Sequence, residues 1–186
     1  MWAAQTYLGA HVSQARYFMY LLAEDYVSEQ MEFHKSVIEN CRRLGRRTGK
    51  ESAIFVPDDG AEDRIAAELR YAFEEHLMRP INGKTPGILF LDKNLPDLNP
   101  AEDRWVFLSL RPFIGGTARE GLAELFTQLE SAISNSEDLL SDIIGSKWKT
   151  FWNGLKDRFM FEPNFYGIGI NAKGKQRRVV VTLGTK

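Results

Sequence analysis

Ser52-Ala53-Ile54-Phe55-Val56-Pro57-Asp58-Asp59-Gly60, followed some thirty residues later by Ile88-Leu89-Phe90-Leu91-Asp92, is the stretch that decides the fold. Each holds a short continuous apolar run bordered by charge or by turn residues, the pattern of a strand buried on both faces. Between them Ile65, Leu69, Phe73 and Leu77 recur at every fourth residue, with Ala66, Ala72 and His76 beside them, the stripe of an amphipathic helix. Asp58 or Asp59 is placed to cap its first turn. Strand, helix and strand in this span have the size of a βαβ unit, so the two strands are expected to run parallel.

Downstream, Trp105-Val106-Phe107-Leu108-Ser109-Leu110 is rich in β-formers and reads as a third strand. Asn99-Pro100-Ala101-Glu102 before it has the order of a short capped helical turn. Thr117-Ala118-Arg119-Glu120 is a capping box opening a helix with Leu122, Leu125, Phe126, Leu129 and Ile133 on one face. A second stripe follows at Leu140, Ile144, Trp148, Phe151, Leu155 and Phe159, interrupted by Gly145. The alternation from Phe165 to Asn171 and the β-branched run from Arg177 to Leu183, joined by a loop containing Gly174, predict a terminal hairpin.

Upstream, Leu8, Val12, Ala15, Met19, Leu22 and Tyr26 are spaced by three and four, and Met31, His34, Ile38 and Cys41 resume the stripe after a slip in phase. No proline interrupts them, and Gly45 with Arg42, Arg43, Arg46 and Arg47 marks a helix end. The expected architecture is α/β: a small three-layer sheet with parallel core strands, a long N-terminal helix and a C-terminal antiparallel hairpin. Residues 1–48 are expected to form a helical arm, and residues 49–186 the α/β domain with which it makes one compact unit.

Composition narrows the classes. No apolar run approaches the roughly 20 residues of a membrane span, and the N-terminus lacks a basic region leading into an apolar one, so a soluble, cytoplasmic chain with no membrane partner is expected. One cysteine and three histidines give neither an internal disulfide nor a zinc spacing. The net charge of −1 hides an asymmetry: residues 57–104 carry 11 Asp+Glu against 6 Lys+Arg, and residues 146–186 carry 9 Lys+Arg against 2 Asp+Glu.

Ligands in open α/β sheets sit at the carboxyl ends of the strands. Asp58, Asp59 and Asp92 follow predicted strands, and carboxylates gathered at such an edge would suit Mg²⁺ held together with the phosphates of a substrate. Arg111, just after the third strand, would contact an anion there. Asp and Gly are equally the ordinary residues of turns and caps. The basic tail, Lys173, Lys175, Arg177 and Arg178, is the second candidate anion site. With Phe165 and Tyr166 beside it, the tail would suit a nucleic-acid backbone, although the pI of about 6.3 lacks the footprint of a dedicated binder. No G-x-G-x-x-G, P-loop or G-x-S-x-G pattern is present. Cys41 falls on the apolar stripe and reads as a small buried hydrophobe.

The segment from Ile54 to Arg64, with the helix after it and Leu89-Phe90-Leu91-Asp92, is similar to the opening β-loop-helix-β of Toll/interleukin-1 receptor domains. In this chain about 50 residues precede that strand, and the glutamate-bearing helix of the NAD-cleaving members is not found, so no catalytic residue carries over. Two functional expectations follow. The first is a binding or regulatory domain acting through protein-protein assembly, with a protein partner or a second copy, by way of the N-terminal helix or the hairpin. The second is a Mg²⁺-dependent hydrolase of phosphoryl groups or nucleotides, NAD among them, using the acidic loops.

Overall fold

The computed structural model describes residues 2–5, 15–23, 31–58, 63–114, 119–144 and 178–181. In chain order the elements are β1 (Trp2–Gln5), β2 (Tyr17–Leu22), α1 (Met31–Thr48), β3 (Ser52–Pro57), α2 (Arg64–Phe73), α3 (Arg79–Ile81), β4 (Gly87–Leu91), β5 (Trp105–Ser109), α4 (Arg119–Asn135), α5 (Leu139–Ile144) and β6 (Arg178–Val181). One π-helical turn, Glu74–Met78, joins α2 to α3.

The strands form one six-stranded sheet in the order β1-β3-β2-β4-β5-β6. Pairing is parallel for β1–β3, β2–β3 and β5–β6, and antiparallel on both sides of β4. Five strands therefore point one way, and β4, inside the sheet, points the other.

Each central strand divides its side chains between two cores, as the period of two requires. Tyr17, Met19, Leu21, Ile54, Val56, Ile88, Phe90, Val106 and Leu108 face one side, where α1, α4 and α5 cover them. Phe18, Tyr20, Leu22, Ala53, Phe55, Leu89, Leu91, Trp105 and Phe107 face the other, under α2, its π turn and α3. This is the expected three-layer α/β arrangement. Fully burying a large apolar side chain contributes roughly 1.5–3 kcal/mol, so two such cores, not helix propensity, hold the layers together.

Two expectations are overturned. Residues 17–22 are a strand, not part of a long helix, and all six are buried. Flanked by β3 and β4, they need apolar side chains on both faces, and a continuous apolar run satisfies helical spacing by accident. The N-terminal helix begins only at Met31, which is half exposed, and its buried stripe runs through Phe33, Val37, Ile38, Cys41 and Leu44. β1 and β2, both upstream of that helix, are thus strands of the sheet.

Second, the core strands are not all parallel. β3 and β4 do not form a parallel βαβ unit, because β2 lies between them and β4 is reversed. The arrangement implied by the resemblance to Toll/interleukin-1 receptor domains is therefore not formed. The first strand and the loop of the expected hairpin lie outside the described residues. Its second strand, β6, is described and pairs in parallel with β5.

Candidate functional site

The reversal of β4 separates the acidic residues. Tyr20 faces Phe55, so Asp58 lies beyond the level of Leu22, while Asp92 follows Leu91, which faces Phe18. Six steps at about 3.3 Å each put the two at opposite ends of the sheet, roughly 20 Å apart along the strands. Mg²⁺ binds oxygen at about 2 Å, so Asp58 and Asp92 cannot share one ion. Asp59 lies outside the described residues. No group of three or more His, Cys, Asp or Glu suited to a metal occurs among the described residues. Asp58 does not cap α2 either: Asp63 holds that position, without a side-chain cap bond.

Arg111 stands at the same end of the sheet as Asp58 but follows β5, with β2 and β4 between the two strands, and is exposed with its guanidinium donating to the Gly83 carbonyl. Lys173, Lys175 and Arg177 lie outside the described residues, and Arg178 opens β6 opposite Trp105. Cys41 is fully buried, and burial pushes its thiol up to about 12, so it stays a neutral thiol at neutral pH. Of the histidines, His34 is buried as expected but His76 is exposed on the π turn.

At the other end Asp92 belongs to a network that sequence reading missed. Because β4 and β5 pair with Leu91 opposite Trp105, the same register carried outward sets Asp92 opposite Arg104 and Lys93 opposite Asp103. Both become ion pairs, Arg104 to Asp92 at 2.8 Å and Lys93 to Asp103 at 2.5 Å. Cross-strand opposite charges extend the ladder after the backbone bonds end. Arg104 reaches a second carboxylate, Asp138, at 2.6 Å. Asp138 also accepts from the backbone N–H and the hydroxyl of Ser141, fastening the start of α5.

The hydrogen bond from Lys93, then that from the Asn99 backbone N–H, holds the Asp103 carboxyl below its ordinary range. For Asp138, burial acts upward but is outweighed by the bonds from Arg104 and Ser141, and its pKa also falls. Every charge in the network has a partner, so its chemistry is that of a clasp. On the α2 side, Tyr20 stacks on Phe55 with ring centroids 4.5 Å apart and donates to Asn94 Oδ1 at 3.1 Å.

Among the described residues, concavities open on both helical layers. An apolar groove of about 690 Å³ runs along α2, lined by Arg64, Glu68, Tyr71, Phe73, Leu95 and Pro96 among others. Tyr71 on its rim is 96% exposed. A smaller cleft of about 270 Å³ lies between α1 and α4 and is lined mainly by polar side chains, Arg43 and Arg47 among them. No helix among the described residues is long and apolar enough to cross a membrane. Comparison of the chain with protein-family models, with curated proteins and with solved structures gives no match.

Proposed function

We propose that the chain is a protein-binding α/β domain, and that its docking surface is the apolar groove on the α2 side, occupied by a second copy of the chain. The observation that carries this reading is Tyr71. A tyrosine at 96% exposure beside Ala72, Phe73 and Pro96 keeps an aromatic ring in water at the mouth of an apolar groove, where a partner would desolvate it. The expected interface through the N-terminal helix loses support, because Met19 and Leu22, on the apolar stripe expected of that helix, are core residues at 1% and 0% exposure.

Charge supports a second copy as the occupant. The two charged residues of the lining, Arg64 and Glu68, pair with each other at 3.2 Å, while Glu74 and Asp97 directly follow the lining residues Phe73 and Pro96 and Glu75 comes next after Glu74. The tail of the same sequence, residues 146–186, is basic and carries Trp148, Phe151, Trp152, Phe165 and Tyr166. The carboxylates that follow the groove's lining in the chain and the basic, aromatic tail are complementary in charge between two copies. The hydrolase reading is not carried forward, since Asp58 and Asp92 occupy opposite ends of the sheet.

Light scattering against concentration tests the proposal. The parent should form a dimer that dissociates as salt is raised, and Tyr71→Glu should remain monomeric with unchanged circular dichroism and Tm, because Tyr71 has no packing to lose. A parent that stays monomeric throughout, or a dimer untouched by Tyr71→Glu, would overturn it.

A further inference from the structure

The cleft between α1 and α4 differs in chemistry from the groove. α1 ends Arg42-Arg43-Leu44-Gly45-Arg46-Arg47, four guanidiniums in six residues. Arg43 and Arg47 are four apart, so they stand one turn above the other on one helix face, and both line the cleft. Leu44 between them is buried in the core, which fixes the rotation of α1.

Two of the cleft's other polar side chains, Asn40 and Thr127, are engaged within their own helices. The Asn40 amide donates to the Ser36 carbonyl at 2.8 Å, and its oxygen accepts from Arg43. The Thr127 hydroxyl donates to the Ala123 carbonyl at 3.0 Å. Arg47 donates to Glu130 across the cleft at 2.9 Å. What remains is the donor capacity of two guanidinium forks, each with five N–H groups. Arg43 meets no carboxylate among the described residues, and one carboxylate faces two cations.

We propose that this cleft binds a small phosphate-bearing anion, bridged between Arg43 and Arg47, with Glu130 as the counter-ion it displaces. Planar guanidinium forks match the paired oxygens of phosphate. At about 270 Å³ the cleft is smaller than the roughly 300–1,000 Å³ pockets of drug-sized ligands, which selects inorganic phosphate, pyrophosphate or a compact phosphorylated metabolite over a nucleotide. Both guanidiniums are exposed, so binding weakens as salt rises.

The experiment is calorimetric titration with inorganic phosphate and with pyrophosphate at fixed ionic strength. It compares the parent with Arg43→Gln, Arg47→Gln and Glu130→Gln, each checked for an unchanged circular dichroism spectrum. The parent should bind one anion saturably, and pyrophosphate more tightly than phosphate. Each arginine variant should lose about tenfold or more, the scale of a charge-assisted hydrogen bond, while Glu130→Gln should bind several-fold tighter. If Arg47–Glu130 is instead only a structural pair, Glu130→Gln will lower Tm and leave anion binding unchanged, which overturns the proposal. Absence of saturable binding in the parent, or binding indifferent to both arginine variants, overturns it as well.

Discussion

The two ends of the sheet are closed by different physics. Where β2, β3 and β5 finish and β4 begins, closure is by shape and neutral hydrogen bonds. A Cβ on Gly87 would sit 2.3 Å from Cζ of Phe107 and 2.6 Å from the Leu108 carbonyl oxygen. Beside it Ser109 donates to the Lys84 carbonyl at 2.6 Å and the Leu110 N–H to the Pro86 carbonyl at 2.7 Å. At the opposite end, where β4 finishes, the pairs Asp92–Arg104, Arg104–Asp138 and Lys93–Asp103 do the closing. Both ends derive from one β4–β5 register, which places small neutral residues at one extreme and opposite charges at the other. The first end should be indifferent to pH and salt, and the second should respond to both.

Gly87→Ala is the strongest way to test the shape-closed end. The methyl meets a ring and a backbone carbonyl, and only the ring can move, so the cost belongs at the upper end of the roughly 1–3 kcal/mol of overpacking. At about 2–4 °C per kcal/mol for a chain of this size, a cost of about 3 kcal/mol should lower Tm by roughly 6–12 °C. Thermal melts between pH 3 and pH 7 should show the same loss; a loss that varies with pH would break the contrast.

Arg104→Ala comes next. It leaves Asp92 and Asp138, whose side chains are 27% and 42% exposed, without their shared cation. With solvent screening the cost is about 1–2 kcal/mol, diminishing in concentrated salt. Asp138 and Asp103 have pKa values held below the ordinary carboxylate range. Their contribution is thus fully present above about pH 4, where the unfolded carboxylates are ionised, and is lost as pH falls through the folded-state values. Melts at pH 7 and at pH 2.5 should show the gap between parent and Arg104→Ala closing in acid. A gap that persists in acid would mean that Arg104 acts through packing of its stem.

Much of this fold is legible in the residues, and the illegible parts share a cause. β3, β4 and β5 announce themselves as apolar runs between turn residues, and the α4 stripe of Leu122, Leu125, Phe126, Leu129 and Ile133 is buried at every position. β2 is hidden because a strand inside the sheet is apolar on both faces, and Tyr17–Leu22 fits periods of two and of 3.6 alike. The three aromatics among those six residues were the one local signal for a strand. The direction of β4 is a non-local property: it depends on β2 lying beside it, and no spacing within residues 52–92 encodes that. The misplaced metal site follows from this, since acidic loops after two strands converge only if the strands are parallel. The Arg104 network could have been read from the complementary order Asp92-Lys93 and Asp103-Arg104, but only once β4 and β5 were known to be antiparallel.

Arg111→Ala is the smallest expected effect and the sharpest use of the contrast. Arg111 carries a full charge at the shape-closed end, yet the only bond of its guanidinium among the described residues is to the Gly83 carbonyl. Arg111 is exposed, so truncating its side chain opens no buried cavity. A single neutral acceptor in water gives the guanidinium little that hydration does not, so the change in stability should stay within about ±0.5 kcal/mol. Melts at low and high salt should coincide with those of the parent. A salt-dependent loss comparable to that of Arg104→Ala would show charge closing both ends of the sheet, and the division drawn from the β4–β5 register would fail. Coincident melts would confine the electrostatic clasp to the end where β4 finishes.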